Sequence, residues 1–222
     1  MIAAAKRLKW SVERRLAERR WPAWLRRTMA VEGWLSEPEA QALYRLAGEV
    51  ADGCIVEIGS YRGRSTVALS AGVEASGRDT PIFAIDPHET FEGPLGGSFG
   101  PPDRAAFFRT MLDSQAFERV RLVNLSSEVI TAGWTRPVGL LWIDGDHAEA
   151  ATRRDLAVWE PHLTPDAVVC FHDVTPGTGP TAVTDELAAR GLYEPIFKAH
   201  RLLAMRRAAA THKLAEPLPK AA

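Results

Sequence analysis

Val56-Glu57-Ile58-Gly59-Ser60-Tyr61-Arg62-Gly63-Arg64-Ser65-Thr66 joins the end of an apolar run to a turn punctuated by glycine and then to a stretch of small and apolar residues. The run Cys54-Ile55-Val56-Glu57-Ile58 reads as a short buried strand that Gly59 ends, and the residues from Ser65 to Ala75 read as a helix packed closely on a sheet. Gly59 and Gly63 let the backbone bend tightly, and the helix that follows aims its free N–H groups and positive dipole end into the turn. A pyrophosphate-binding turn would need Gly-x-Gly-x-x-Gly. Tyr61 and Arg64 stand where its second and third glycines would be, which demotes a nicotinamide dinucleotide.

Outward from this unit the pattern repeats. Strands are expected at 82–86, 120–124, 140–144 and 168–172, and helices at 103–116, 148–159 and 180–190. Upstream, Ser36 followed by Pro38 and Glu39 has the signature of a helix start with a capping box. Strands apolar on both faces and separated by helices indicate a parallel sheet covered on both sides. The last two runs, 193–198 and 201–205, are only two residues apart, too close for a parallel crossover, and so form an antiparallel hairpin. The expected fold is a Rossmann-like, doubly wound α/β sheet of seven strands, mostly parallel with an antiparallel C-terminal hairpin strand. An N-terminal helical arm (1–30) precedes this domain (31–206), and a short tail (207–222) follows.

The chain has 222 residues, 46% hydrophobic and 25% charged, which suits a folded domain. Its formal net charge of −1 hides an uneven spread: residues 1–30 hold nine Lys/Arg against two Glu, and the body is acidic. An acidic body argues for a small or neutral substrate and against nucleic acid. No run approaches the roughly 18 apolar residues of a membrane span, and no signal peptide is evident, so a cytoplasmic location is expected. Cys54 and Cys170 lie in apolar runs and read as inert thiols. The arm combines basic residues with Trp10, Trp21 and Trp24, and Pro22 divides it into two short helices. Packing on the body or on a second copy is preferred to contact with an anionic membrane surface, and a homodimer through the arm is an open expectation.

In an open α/β sheet the ligand lies at the carboxyl ends of the strands. Here those ends carry Glu57, Asp86, Asn124, Asp144 and His172 with Asp173. Asp86 suits the two hydroxyls of a ribose, as in any adenosine ligand. Neighbouring strands lie about 4.8 Å apart, so Asp144 and His172/Asp173 can converge. An oxygen-rich set of that kind points to Mg²⁺ or Mn²⁺ held by Asp144, His172 and Asp173. Adjacent strand residues face opposite ways, which weighs against both His172 and Asp173 reaching one point.

The first turn, together with Ala84-Ile85-Asp86-Pro87-His88, Trp142-Ile143-Asp144-Gly145-Asp146-His147, Asp155-Leu156 and Cys170-Phe171-His172-Asp173, resembles the class I S-adenosylmethionine-dependent methyltransferases. The resemblance spans about 31–206 and is nearest the branch with sugar and macrolide-sugar O-methyltransferases. It implies that Glu57, Gly59, Ser60, Gly63 and Ser65 surround the methionine part of S-adenosylmethionine, with Asp144 nearby. It also implies that Asp86 binds the ribose, that Ser126 or Ser127 lies at the adenine edge, and that His147 is the general base. Related metal-dependent enzymes carry carboxylates or an amide where His172 stands, and this chain departs from them there. The expected activity is methylation of a sugar or other small hydroxylated metabolite, in natural-product or glycan biosynthesis. N-methylation of a small amine, an NAD-dependent oxidoreductase and a non-catalytic cofactor-binding partner are the alternatives. Asp146 and Asp155 read as capping or surface residues and Trp142 and Trp159 as core. The long Gly- and Pro-rich connection 88–102 reads as a lid that shapes the acceptor pocket.

Overall fold

The computed structural model describes residues 20–93 and 97–208. Most of the arm, including Trp10, and most of the tail lie outside the described residues. Seven strands form one sheet in the order β5-β2-β1-β6-β7-β9-β8. They are β1 (Cys54–Ile58), β2 (Ile82–Ile85), β5 (Val120–Val123), β6 (Val138–Ile143), β7 (Leu163–Phe171), β8 (Tyr193–Ala199) and β9 (Leu202–Arg207). A separate two-stranded ribbon, β3 (Phe91–Glu92) with β4 (Ser98–Phe99), interrupts the 88–102 connection. The pairings from β5 through β7 are parallel, and β9 runs antiparallel to both β7 and β8, as the two-residue gap between the last runs requires.

Every residue of β1 is buried, because β2 and β6 flank it and helices cover both faces. Alternation then sorts its side chains. Ile55 joins the core beneath helices Ala23–Ala30, Glu37–Glu49 and Arg64–Ser76, whereas Val56 and Ile58 join the core beneath helices Glu149–Trp159 and Gly179–Ala189. Trp142 and Trp159 are fully buried, one in each core. Gly72 lets helix Arg64–Ser76 lie against helix Glu37–Glu49, since a Cβ there would sit 2.0 Å from the Tyr44 carbonyl oxygen. The described end of the arm packs on this body: Leu25 and Thr28 are buried, and Trp24 stacks on Tyr44 with ring centroids 4.0 Å apart. Pro22 occupies the N-cap of that helix, a position where its missing N–H costs nothing. Among the described residues no helix is long and apolar enough to cross a membrane.

Candidate active site

A cavity of about 800 Å³ opens at the carboxyl ends of β1, β2, β6 and β7, within the usual size for small-molecule sites. Its floor is the turn after β1. Gly59 has φ +80°, and a Cβ would meet the Asp144 carbonyl oxygen at 2.3 Å, so only glycine lets the first turn lie flat against the end of β6. Gly63, also in the left-handed region, is the N-cap of helix Arg64–Ser76. Between them Tyr61 holds φ +48°, a conformation uncommon outside glycine. It is over-determined there: its N–H donates to Asp86 Oδ2 at 2.9 Å, and His88 Nε2 bonds its carbonyl at 2.8 Å. The turn therefore keeps the backbone shape of a glycine-rich loop while carrying a tyrosine, and the missing second glycine is compensated by Asp86 and His88.

Asp86 anchors the whole turn. Its Oδ2 also accepts the Ser60 N–H at 2.9 Å, and its Oδ1 accepts the His88 N–H at 2.9 Å. Asn124 Nδ2 donates to the Asp86 carbonyl at 2.9 Å and lies 3.2 Å from His88 Nδ1. Those partners give His88 the tautomer with its proton on Nε2. Gly59, Ser60, Ser65 and Asp86 are on the cavity wall, as are Ser126 and Ser127 on the adjoining side. Ser127 is buried on that wall beside the Asp155 carboxyl, whose rise by burial to about 6 it partly offsets.

Glu57 and Gly63 are not on that wall. Glu57 shares the face of Ile55 and points under the turn, where Ser65 donates to Oε1 and Thr66 to Oε2, the latter at 2.5 Å. Burial, only partly offset by the two hydroxyls, pushes its carboxyl up to about 8, and the charges of Asp144 and Asp86 add to the rise.

The second centre gathers at the ends of β6 and β7. His172 continues the face of Trp142 and Cys170 and is buried between two carboxylates: Nδ1 is 2.7 Å from Asp144 Oδ1, and Nε2 is 3.4 Å from Glu39 Oε1. Asp173 would point away in a regular strand, but its φ of +52° turns the carboxylate back, to 3.4 Å from His147 Nε2 and 2.5 Å from Arg201. This kink overcomes the alternation that argued against convergence. His147 Nε2 is also 3.3 Å from Asp144 Oδ1. Asp146 caps the following turn through the Ala148 N–H at 3.0 Å, and Asp155 is on the cavity wall and nearly buried.

Sequence reasoning missed Glu39 and Arg201. Glu39 closes the capping box on Ser36 through Oε2, while its Oε1 accepts the Arg201 N–H at 3.0 Å. Burial would raise the Glu39 carboxyl, but His172 and Ser36 outweigh it and hold it at about 2. Burial would lower His172, yet Asp144, Glu39 and Asp173 hold it up at about 10. Those carboxylates favour its charged form, and Asp144 is held below the ordinary carboxylate range despite its burial, because His172 and His147 face it.

A donor atom from each of Asp144, His147 and His172 lies within 4.8 Å of the other two, the spacing of a cation site. The charge balance is otherwise. His172 Nδ1 already lies 2.7 Å from Asp144 Oδ1, and Asp173 is paired with Arg201. Holding Mg²⁺ or Mn²⁺ at Asp144, His172 and Asp173 would require His172 to yield its proton and Asp173 to part from Arg201.

A family model described as a methyltransferase domain matches residues 56–174, which takes in the glycine turn, Asp86, Asp144, His147, His172 and Asp173 but not Glu39 or Arg201. The chain belongs to this methyltransferase family. Its mostly parallel seven-stranded sheet with one reversed strand is the class I methyltransferase architecture. Uncharacterized protein y4gI of Sinorhizobium fredii is 31% identical over 121 residues, 54% of this chain but 13% of y4gI, so the chain spans a small part of that relative's length. The methyltransferase PaMTH1 of Podospora anserina, solved with S-adenosylhomocysteine bound, superimposes with a TM-score of 0.62 at 13% identity, over 89% of this chain and 95% of its own. CalS11, a TDP-rhamnose 3'-O-methyltransferase of calicheamicin biosynthesis, gives 0.54 at 18% identity, over 75% and 76%. At these identities the two structures carry the fold.

Proposed function

We propose that this methyltransferase transfers a methyl group from S-adenosylmethionine to a hydroxyl of a small molecule, with His147 as the general base. The observation that carries the reading is the contact of His147 Nε2 with the carboxylates of Asp144 and Asp173 at the rim of the cavity that the glycine turn floors. Ser60, Asp86 and Ser127 are the proposed cofactor contacts, Asp86 for the ribose and Ser127 for the adenine edge. The O-methyltransferase description of CalS11 supports the choice of oxygen over nitrogen.

When bound, S-adenosylmethionine supplies a methyl group on a sulfonium, which departs as a neutral thioether. The protein's share is alignment and proton removal. Holding acceptor and donor in line is worth about 7–11 kcal/mol where the geometry is good. With Nε2–H directed at Asp144, His147 has Nδ1 free to take the acceptor's hydroxyl proton as the new C–O bond forms. Asp144 and Asp173 then stabilise the imidazolium, the orienting role a carboxylate plays behind any catalytic histidine. His172 and Arg201 face the same two carboxylates, and no step is routed through a divalent cation.

Calorimetric titration with S-adenosylmethionine, with Mg²⁺ and again with EDTA, tests the reading. Saturable binding is expected in both, and hydroxylated acceptors should then yield S-adenosylhomocysteine at equal rates with and without EDTA. Absence of binding would overturn the methyltransferase reading, and turnover lost on chelation and restored by Mg²⁺ would reinstate a metal at Asp144 and Asp173.

A further inference from the structure

The cavity mouth is aromatic, and the charges around it are already paired. Trp34, Tyr61, Phe91 and Phe99 line one side. Tyr61 and Trp34 centroids are 5.2 Å apart, Tyr61 and Phe99 5.4 Å, Trp34 and Phe99 5.9 Å, and Phe91 and Phe99 6.0 Å. Despite these contacts Trp34 is 59% and Phe91 41% exposed, large apolar surfaces that face an opening rather than a core.

Among the described residues the arginines of the wall have partners. Arg64 spends its guanidinium on the carbonyls of Val31 at 2.6 Å and Leu35 at 2.9 Å, fixing the loop that presents Trp34. Arg154 pairs with Glu128 through Nε, and Arg201 bonds Asp173 and the Trp34 carbonyl through its two terminal nitrogens, with its Nε–H buried and without a partner. A phosphate would need the fork of a free guanidinium or several free N–H donors, and it would enter a mouth where Glu89 is exposed and Asp86 and Asp144 lie below. Of the rings at the mouth, Tyr61 is already closed to a cation. The face of Tyr61 is covered by Arg62, whose guanidinium carbon is 5.1 Å from the ring centroid and which is itself paired with Glu32 and with Asp103 at 2.8 Å.

We infer that the acceptor is an uncharged, hydroxylated ring compound without a phosphate, whose apolar face lies on Trp34 and Phe91 while a hydroxyl reaches His147. This rests on the methyltransferase reading and narrows it, away from the phosphorylated nucleotide sugar named for CalS11.

The test uses the full chain saturated with S-adenosylhomocysteine, whose own titration checks the underlying reading first. Ligand-observed NMR then compares phenyl β-D-glucopyranoside, its 6-phosphate and phenyltrimethylammonium. The neutral glycoside is expected to bind at least tenfold tighter than either charged probe. Trp34→Ala and Phe91→Ala should each weaken it tenfold or more with S-adenosylhomocysteine affinity unchanged, whereas Phe117→Ala, an exposed residue off the cavity wall, should change neither. Tighter or equal binding of the phosphate or the ammonium probe, neutral binding indifferent to Trp34→Ala, or no glycoside binding to a protein that does bind S-adenosylhomocysteine would each overturn the inference. If S-adenosylhomocysteine itself does not bind, the inference fails together with the reading beneath it.

Discussion

Glu57 carries a sharp test of the floor of the site. It is fully buried and its carboxyl is pushed from 4.5 up to about 8, so folding takes up a proton there at neutral pH. With a folded value above the unfolded one, the native state binds more protons, and stability falls as pH rises from about 4.5 until about 8. At roughly 1.4 kcal/mol per pH unit, about 3 kcal/mol is forgone by pH 7. Glu57→Gln removes the titration while keeping an acceptor for Ser65 or Thr66. The difference in unfolding free energy between variant and wild type, measured by urea denaturation at half-unit steps, should therefore move in the variant's favour across pH 5 to 8, by order of 1 kcal/mol per pH unit. The slope decides, because a fixed offset from imperfect amide hydrogen bonding leaves it unchanged. A pH-independent difference would show that Glu57 is ionised in the fold. Because Glu57 is behind the turn and off the cavity wall, S-adenosylmethionine affinity should stay within a few-fold.

Other substitutions separate the parts of the site. Gly59→Ala should cost several kcal/mol of stability and abolish cofactor binding, read by thermal melting and calorimetry, since its Cβ would sit 2.3 Å from the Asp144 carbonyl oxygen at φ +80°. Asp86→Ala should weaken S-adenosylmethionine at least tenfold by releasing the Ser60 and Tyr61 N–H groups, whereas His147→Ala should keep the affinity and lower kcat by about 10²–10⁴; equal loss of affinity in both would refute that division. Glu39→Gln should destabilise by about 3–5 kcal/mol near pH 7, because the buried His172 imidazolium loses a partner. In the wild type the Glu39 contribution is complete above about 4.5 and disappears as pH falls toward 2, which acid denaturation of the two proteins will register.

The strand and helix order was legible because the parallel sheet writes itself as apolar runs closed by glycine and polar ends. Burial of every residue of β1 is the structural form of that signal. Boundaries shifted where the signal was of another kind. Leu163–Phe171 begins five residues before the apolar run because Leu163 pairs with Val138 and packs at the edge of the core, while Pro165 and Asp166 between them and the run are exposed. The β3–β4 ribbon inside the 88–102 connection was hidden because two-residue strands, exposed at Phe91 and Glu92, have no periodicity to read.

The site was legible where one residue acts from one strand end and illegible where distant segments share a proton or a charge. Gly59, Asp86 and Asp144 could be found by position alone. Glu39 could not, since its capping-box role with Ser36 is a complete explanation in sequence, and nothing local says that its second oxygen reaches the tip of a hairpin 162 residues away. Arg201 is there only because β9 runs antiparallel to β7, which returns the hairpin turn to the edge where β7 ends. Those two missed residues change the chemistry. Two aspartates and a histidine at one edge, taken alone, call for a divalent cation. With Glu39 and Asp144 flanking His172, and Arg201 on Asp173, the chain itself places positive partners beside these carboxylates, and His147 meets Asp144 through Nε2. Counting those long-range partners is what moves the reading of the same strand-end residues from a metal toward a base.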